Sequence, residues 1–449
     1  MANKIAFNEN YPDITHSDEL YARAIQIMHP VTQTLAKGPG QFMKGLAPKY
    51  LKRGKNAHVW DVDGNEYIDF NMGIGPISLG YCYDKVDNAI IKQLKDGITF
   101  SLMHEMEVEL AELVHSIIPN AESIRISKTG ADMCSAAVRV SRAFTGRKKV
   151  LCCGYHGWHD WYIGITSRDK GIPEEIKGLT STIDYNNIQS VIDSLDSDTA
   201  CVILEPFVFE APKDNFLHKL QEACKKNGTL LIFDEMWTGF RVALGGAQEY
   251  FGIKPDLAVY SKAFANGMPI SLLTGRKDIM QLFEKDVFCF TTFGGEALSL
   301  AAAIATITEM KEKKVSAALD QKGVLLKDGY NKIAEELGIA SYTKCSGYNC
   351  RTIVTFDASA GDPLILKSFV QQEMIKRGIL WAGFHNMCFT HSDEDIAYTL
   401  KAYREVLALL RDAVKENKVA ALLKGEPLEA VFRKVSNFNM KPKESTLKS

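Results

Sequence analysis

The chain has 449 residues, 46% of them hydrophobic, which is enough to bury a large core and long enough for two or three domains. Its formal net charge of -2, with both signs interspersed, lacks the basic excess that nucleic acid or an anionic membrane surface requires, so small molecules are the expected ligands. No apolar run reaches the length of a bilayer span and the first residues do not read as a leader, so the expected location is the cytoplasm.

In chain order, the spacing predicts a helix over 18–28, followed by a loop punctuated by Pro30, Gly38, Pro39 and Gly40. Apolar alternation on both sides of Asp63, Gly64 and Asn65 predicts a hairpin within 58–70. A loop over 71–80 leads to a helix over 85–94. From about 105 to 275 helical and strand-like patterns alternate, which predicts βαβ units and a mainly parallel sheet.

Three strands in that region end in polar residues: 201–204 before Glu205, 229–233 before Asp234 and Glu235, and 257–260 before Lys262. The carboxyl edge of such a sheet is where open α/β folds bind ligands. A helix over 215–226 separates the first two strands, closed by Asn227 and Gly228 as an αL cap closes a helix. Past 310 come a helix over 317–337, a strand over 351–356 and a helix over 393–416. These predict a smaller α+β domain over 316–434, joined by the N-terminal segment 1–75, with the larger domain over 76–315 and a polar tail over 435–449. The ten cysteines lie mostly in apolar runs without paired CxxC spacing, Cys345 and Cys350 included, and are expected to be reduced core thiols.

Four segments carry chemistry. Residues 127–132 (SKTGAD) open a helix over 133–144, so Thr129, Gly130 and Ala131 stand where a helix N-terminus offers unpaired N–H groups to a phosphate; a plain cap by Thr129 fits the segment equally well. No P-loop or dinucleotide fingerprint is present. Residues 154–162 (GYHGWHDWY) would by themselves most often be a packed aromatic loop; Tyr155 could also lie over a flat ring, a better reading than a metal site from His156, His159 and Asp160. Asp234 follows five apolar residues, so its charge needs a partner such as a protonated pyridine nitrogen, while Glu205 and Glu235 either orient neighbours or cap. Lys262 leaves a buried strand among small residues, where desolvation lowers the pKa of an amine and makes it a nucleophile toward carbonyls. A phosphate cradle, a stacking ring, a buried carboxylate and such a lysine are together what pyridoxal 5′-phosphate requires.

With the segments 60–69 (WDVDGNEYID), 154–157 (GYHG), 233–241 (FDEMWTGFR), 261–262 (SK), 291–295 (TTFGG) and 391–396 (HSDEDI) in this order, the chain resembles the class III aminotransferase family, especially its branch similar to glutamate-1-semialdehyde aminomutase. The resemblance implies an α/β, aspartate aminotransferase-like fold (PLP fold type I), with a seven-stranded, mostly parallel sheet in the large domain. It implies a homodimer with shared active sites. It further implies that Lys262 carries pyridoxal 5′-phosphate as a Schiff base and serves as the proton carrier. Asp234 would pair with the pyridine nitrogen, Tyr155 would stack on the ring and Met236 would pack its other side. Thr129, Gly130 and Ala131 would hold the phosphate together with Thr292 of the partner subunit. His156 and Glu205 are counted with the cofactor-binding residues, and no metal is expected.

Departures from the family bear on the substrate. Segment 30–37 (PVTQTLAK) lacks the arginine by which the aminomutases hold a substrate carboxylate, and Lys37 has no planar fork to replace it. His385 stands where glutamate is usual, Glu296 and Ala297 where Asn-Pro is common, and Ala131 offers the phosphate only its backbone. The expected activity is therefore ping-pong transfer of an amino group from glutamate to a polar carbonyl substrate, an amino-sugar precursor or an aldehyde with distant anionic groups. The alternatives are glutamate-1-semialdehyde aminomutase itself and a non-catalytic protein that kept the fold. Retention of both Asp234 and Lys262 argues against the last.

Overall fold

The computed structural model describes residues 10–429 and the backbone of two short strands, Arg433–Lys434 and Asn437–Phe438. Apart from 437–438, the tail expected over 435–449 lies outside the described residues. The chain forms two compact units, one from the residues through Tyr83 together with Ala317–Val431, the other from Asp84–Ser316.

The larger unit is built on seven strands: β1 (Ser123–Ser127), β2 (Lys149–Cys153), β3 (Thr180–Thr182), β4 (Thr199–Leu204), β5 (Leu230–Asp234), β6 (Leu257–Tyr260) and β7 (Ser271–Gly275). Their order is β1-β7-β6-β5-β4-β2-β3. All neighbours run parallel except β7, which is antiparallel to both β1 and β6. Strands β4, β5 and β6 are buried along their whole length, which is why they read as unbroken apolar runs rather than as alternating ones. Helix α1 (Gly130–Thr145) packs on β4, β6 and β7 and ends at Gly146, whose φ of 68° closes it. Helix α2 (Phe216–Asn227) ends the same way at Gly228, with φ 70°. Helix α3 (Ala297–Glu312) follows the loop that holds Thr292.

In the smaller unit, His58–Asp61 and Glu66–Asp69 form the expected hairpin, flanked by Leu51–Lys55 and by the parallel strand Ile379–Leu380. The Asp61 carboxylate fixes the turn by accepting from the N–H groups of Asp63 and Asn65 at 3.0 and 2.8 Å. A three-stranded antiparallel sheet joins Thr343–Tyr348, Arg351–Phe356 and Phe384–Asn386. The N-terminal helix begins earlier than expected, spanning Thr15–Ala24. Its start is set from a distance, because Asp63 of the hairpin turn accepts from His16 N–H at 2.7 Å and Ser17 N–H at 3.0 Å. That cap joins residues too far apart for local spacing to reveal.

Candidate active site

Strand β5 delivers Asp234 as its last residue, and there the carboxylate is buried with three donors around it. His156 Nδ1 lies 2.8 Å from Oδ2, the Met236 N–H donates to Oδ1 at 3.1 Å, and the Cys134 thiol on α1 donates to Oδ2 at 3.6 Å. Both side chains of the His156–Asp234 pair are fully shielded from solvent. Burial pushes the Cys134 thiol well up, with the Asp234 charge adding to the rise, so it stays protonated and can donate. Thiol, imidazole and carboxylate together bring three metal-capable atoms within 4.8 Å of one another, but the hydrogen bonds among them already account for the arrangement. His159 turns elsewhere, with Nδ1 2.6 Å from Ser135 Oγ, so it does not share a site with His156.

The loop that ends at Thr129 leads into α1. Thr129 is the N-cap: its hydroxyl accepts from the Asp132 N–H, which leaves the hydroxyl proton to donate outward. Gly130 faces Met236 so closely that a Cβ there would stand 2.6 Å from the thioether sulfur. Gly157 is held at φ 99°, and a Cβ on it would meet the Cα of Ala131 at 2.9 Å. Glycine is thus what lets the aromatic loop and the phosphate loop approach each other.

Tyr155 follows Gly154, whose φ of 111° turns the chain under Glu205; the Tyr155 N–H donates to Glu205 Oε2 at 3.2 Å. One edge of the Tyr155 ring packs against Tyr162 at 5.6 Å, and the residue is 41% exposed. Glu205 is buried and is a support for this turn. Glu235 is a different kind of acid: it accepts from Thr238 Oγ1 and from the N–H groups of Ala247 and Gln248 at 2.8 and 3.0 Å. Burial pushes its carboxyl up to about 7 against those hydrogen bonds, with the neighbouring Asp234 charge adding to the rise.

Lys262 lies two residues past β6, the strand paired with β5 in a register that sets Asp234 opposite Val259. Its φ is 60°, a left-handed conformation that costs a side chain about 1–2 kcal/mol and persists only where the surroundings enforce it. Here Ser261 Oγ is tied to Ile270 O at 2.7 Å and the next three residues are buried. The ammonium nitrogen stands 4.2 Å from the centroid of the Trp237 ring.

Thr292 is exposed in the loop before α3 and lines a groove of about 350 Å³ with Thr99, Phe100, Leu102, Met103 and Glu107. Glu296 caps α3 through the N–H groups of Leu298 and Ser299 and pairs with Lys128 at 2.7 Å, so its departure from the family pattern is a helix cap with a partner. The departure at His385 is likewise internal. This histidine is fully buried in the smaller unit, between Thr352 Oγ1 at 2.8 Å and Tyr403 OH at 2.7 Å, and has no nitrogen left for a substrate. Its reading as a sign of altered recognition is therefore corrected. Two features escaped the sequence reading, the Cys134 contact to Asp234 and the Trp237 contact to Lys262. Neither leaves a local signal, since each depends on tertiary placement.

The family model for class III aminotransferases matches residues 44–347. The chain belongs to the class III aminotransferase family. It is 34% identical to the 3-aminobutyryl-CoA aminotransferase of Cloacimonas acidaminovorans, over 86% of this chain and 97% of that one. It is also 34% identical to the glutamate-1-semialdehyde 2,1-aminomutase of Persephonella marina, over 79% of this chain and 90% of the relative. Among solved structures it is similar to the FumI protein of Sphingopyxis sp. MTA144 in its PLP internal aldimine form, with a TM-score of 0.83, 27% identity, and coverage of 92% of this chain and 99% of that one.

This aminotransferase has the α/β fold of the pyridoxal 5′-phosphate enzymes and uses that cofactor for amino transfer. The residues present fit the group. A buried carboxylate suits a ring nitrogen that carries a proton, and a partly exposed tyrosine suits a flat ring. A helix N-terminus with a spare hydroxyl proton suits a phosphate, and a glycine against Met236 keeps that approach clear.

Proposed function

We propose that this aminotransferase moves an amino group from a small donor, glutamate first, to a polar carbonyl compound that bears anionic groups far from the reacting carbon. The observation that carries the reading is the Asp234 carboxylate, shielded from solvent on His156, on the strand beside the one that leads to Lys262. When bound, the cofactor supplies an aldehyde that takes up the amino group and a ring that accepts the electron pair of the substrate carbon. Asp234 holds the proton on the ring nitrogen, and His156, Cys134 and the Met236 N–H keep its carboxylate in place. Tyr155 and Met236 would hold the ring between them, and Thr129, with the N–H groups of Gly130 and Ala131, would hold the phosphate. Lys262 would anchor the cofactor and, as a free amine, would move a proton at the substrate carbon.

The lack of arginine in 30–37 supports net transfer over isomerisation. A distant anionic arm is the feature that the name of the Cloacimonas relative supplies, so 3-amino acyl thioesters of coenzyme A are the first compounds to assay, beside amino sugars and simple aldehydes. The reading includes a cytoplasmic homodimer in which Thr292 completes the phosphate site of the partner subunit. The exposure of Thr292 in a groove with Leu102 and Met103 supports it.

A panel of donors and acceptors tests the activity. Stoichiometric appearance of 2-oxoglutarate from glutamate with one acceptor class is the expected result. Conversion of glutamate-1-semialdehyde to 5-aminolevulinate without net donor consumption would mean the aminomutase reaction instead.

A further inference from the structure

Trp237 is buried to 8% exposure beside the residues that surround Asp234, and two cations address its ring. Lys262 Nζ stands 4.2 Å from the ring centroid and Arg241 Cζ 5.1 Å. An indole face attracts an ammonium through its quadrupole, yet it cannot neutralise the charge as a carboxylate would. Lys262 needs that kind of contact. In the reading above it alternates between a bonded state and a released one. When released it gains one proton from the substrate carbon and returns one, so it must be held as an ammonium without being trapped. Arg241 carries a permanent charge and is 2% exposed, so it anchors the indole and repels a second cation on the same ring. Nearby ionisable groups include the Cys134 thiol on α1, which feels Asp234, Glu205 and Lys262 together, His156 on Asp234, and Glu235, which feels Asp234.

We propose that Trp237 is a positioning residue, the resting place of the Lys262 ammonium while that lysine is detached from the cofactor. The inference rests on the assignment of Lys262 as the anchoring lysine. It requires the ring to stabilise the pyridoxamine form of the enzyme, in which the lysine is free, over the pyridoxal form, in which it is bonded.

The test is the visible absorption of the loaded enzyme, equilibrated with fixed ratios of glutamate and 2-oxoglutarate, for the unsubstituted protein and for Trp237→Phe and Trp237→Leu. Leucine stays apolar and removes the aromatic face, so the equilibrium should shift toward the pyridoxal form by about two- to thirty-fold, the range a cation–π contact spans. Phenylalanine should recover part of that shift. Equal shifts for the two variants, or none for leucine, would overturn the proposal. Failure of the underlying assignment shows separately: borohydride would then fix the cofactor of the unsubstituted enzyme at a residue other than Lys262.

Discussion

Asp234 has its carboxylate oxygens held by neighbours rather than by solvent. A carboxylate with no exposure is costly unless donors surround it, and here an imidazole, a thiol and a backbone N–H take that part. The account therefore ties its role to charge as well as to shape. Asp234→Asn keeps the shape and removes the charge, so the cofactor should remain bound while kcat falls on the order of 10²–10³-fold, the usual cost of losing one preorganised electrostatic partner. Steady-state kinetics with the cofactor content measured on the same sample check this; an unchanged kcat would remove Asp234 from the chemistry. Asp234 and Lys262 stand out in the sequence because Asp234 directly follows a run of apolar residues and Lys262 comes one residue after another such run. Their supports do not: His156 lies 78 residues from Asp234 and Cys134 lies 100 residues away, and only the fold brings them together.

At the scale of elements, burial decided what the sequence could announce. The strands β4, β5 and β6 were readable because they are apolar throughout, and the helices α1 and α2 because Gly146 and Gly228 mark their ends. The start of the helix Thr15–Ala24 was not, since Asp13 takes only its first N–H and Asp63 of a distant turn takes the next two. His385 also misled by its identity. It clamps the strand Arg351–Phe356 to the helix Asp393–Lys415 through Thr352 and Tyr403, and burial, with the nearby His391 charge, pushes it down to about 3. His391 stacks on Phe70 at 4.7 Å, accepts from the Cys388 N–H, and burial pushes it down to about 4. Both stay neutral when folded, while an unfolded chain takes up their protons below the ordinary value of 6.5, so the unfolded state binds more protons in that window. Stability from these two groups is thus complete above pH 6.5 and is lost as pH falls, by about 3 kcal/mol each at pH 4. Denaturant titrations between pH 8 and pH 4 should show that loss, and His385→Gln, though less stable at pH 8, should show a shallower slope. A slope identical to that of the unsubstituted chain would contradict the assignment.

At the scale of the whole molecule, the larger unit leaves apolar groups in water that a lone chain has no use for. Leu102 and Met103 are 83% and 88% exposed, and Phe288, Phe290 and Phe293 are each more than half exposed. In the proposed homodimer those groups are covered and Thr292 reaches the partner subunit's phosphate site, so cofactor retention and assembly are coupled. Leu102→Glu with Met103→Glu should shift sedimentation toward the monomer and loosen the cofactor together; dimers that persist with full cofactor content would refute the coupling. The most direct measurement is borohydride reduction of the purified, loaded enzyme followed by peptide mass mapping. The expected result is one cofactor-derived mass increment, on the peptide that contains Lys262, and none in Lys262→Ala; an increment on any other lysine, or none at all, would contradict the account at its centre.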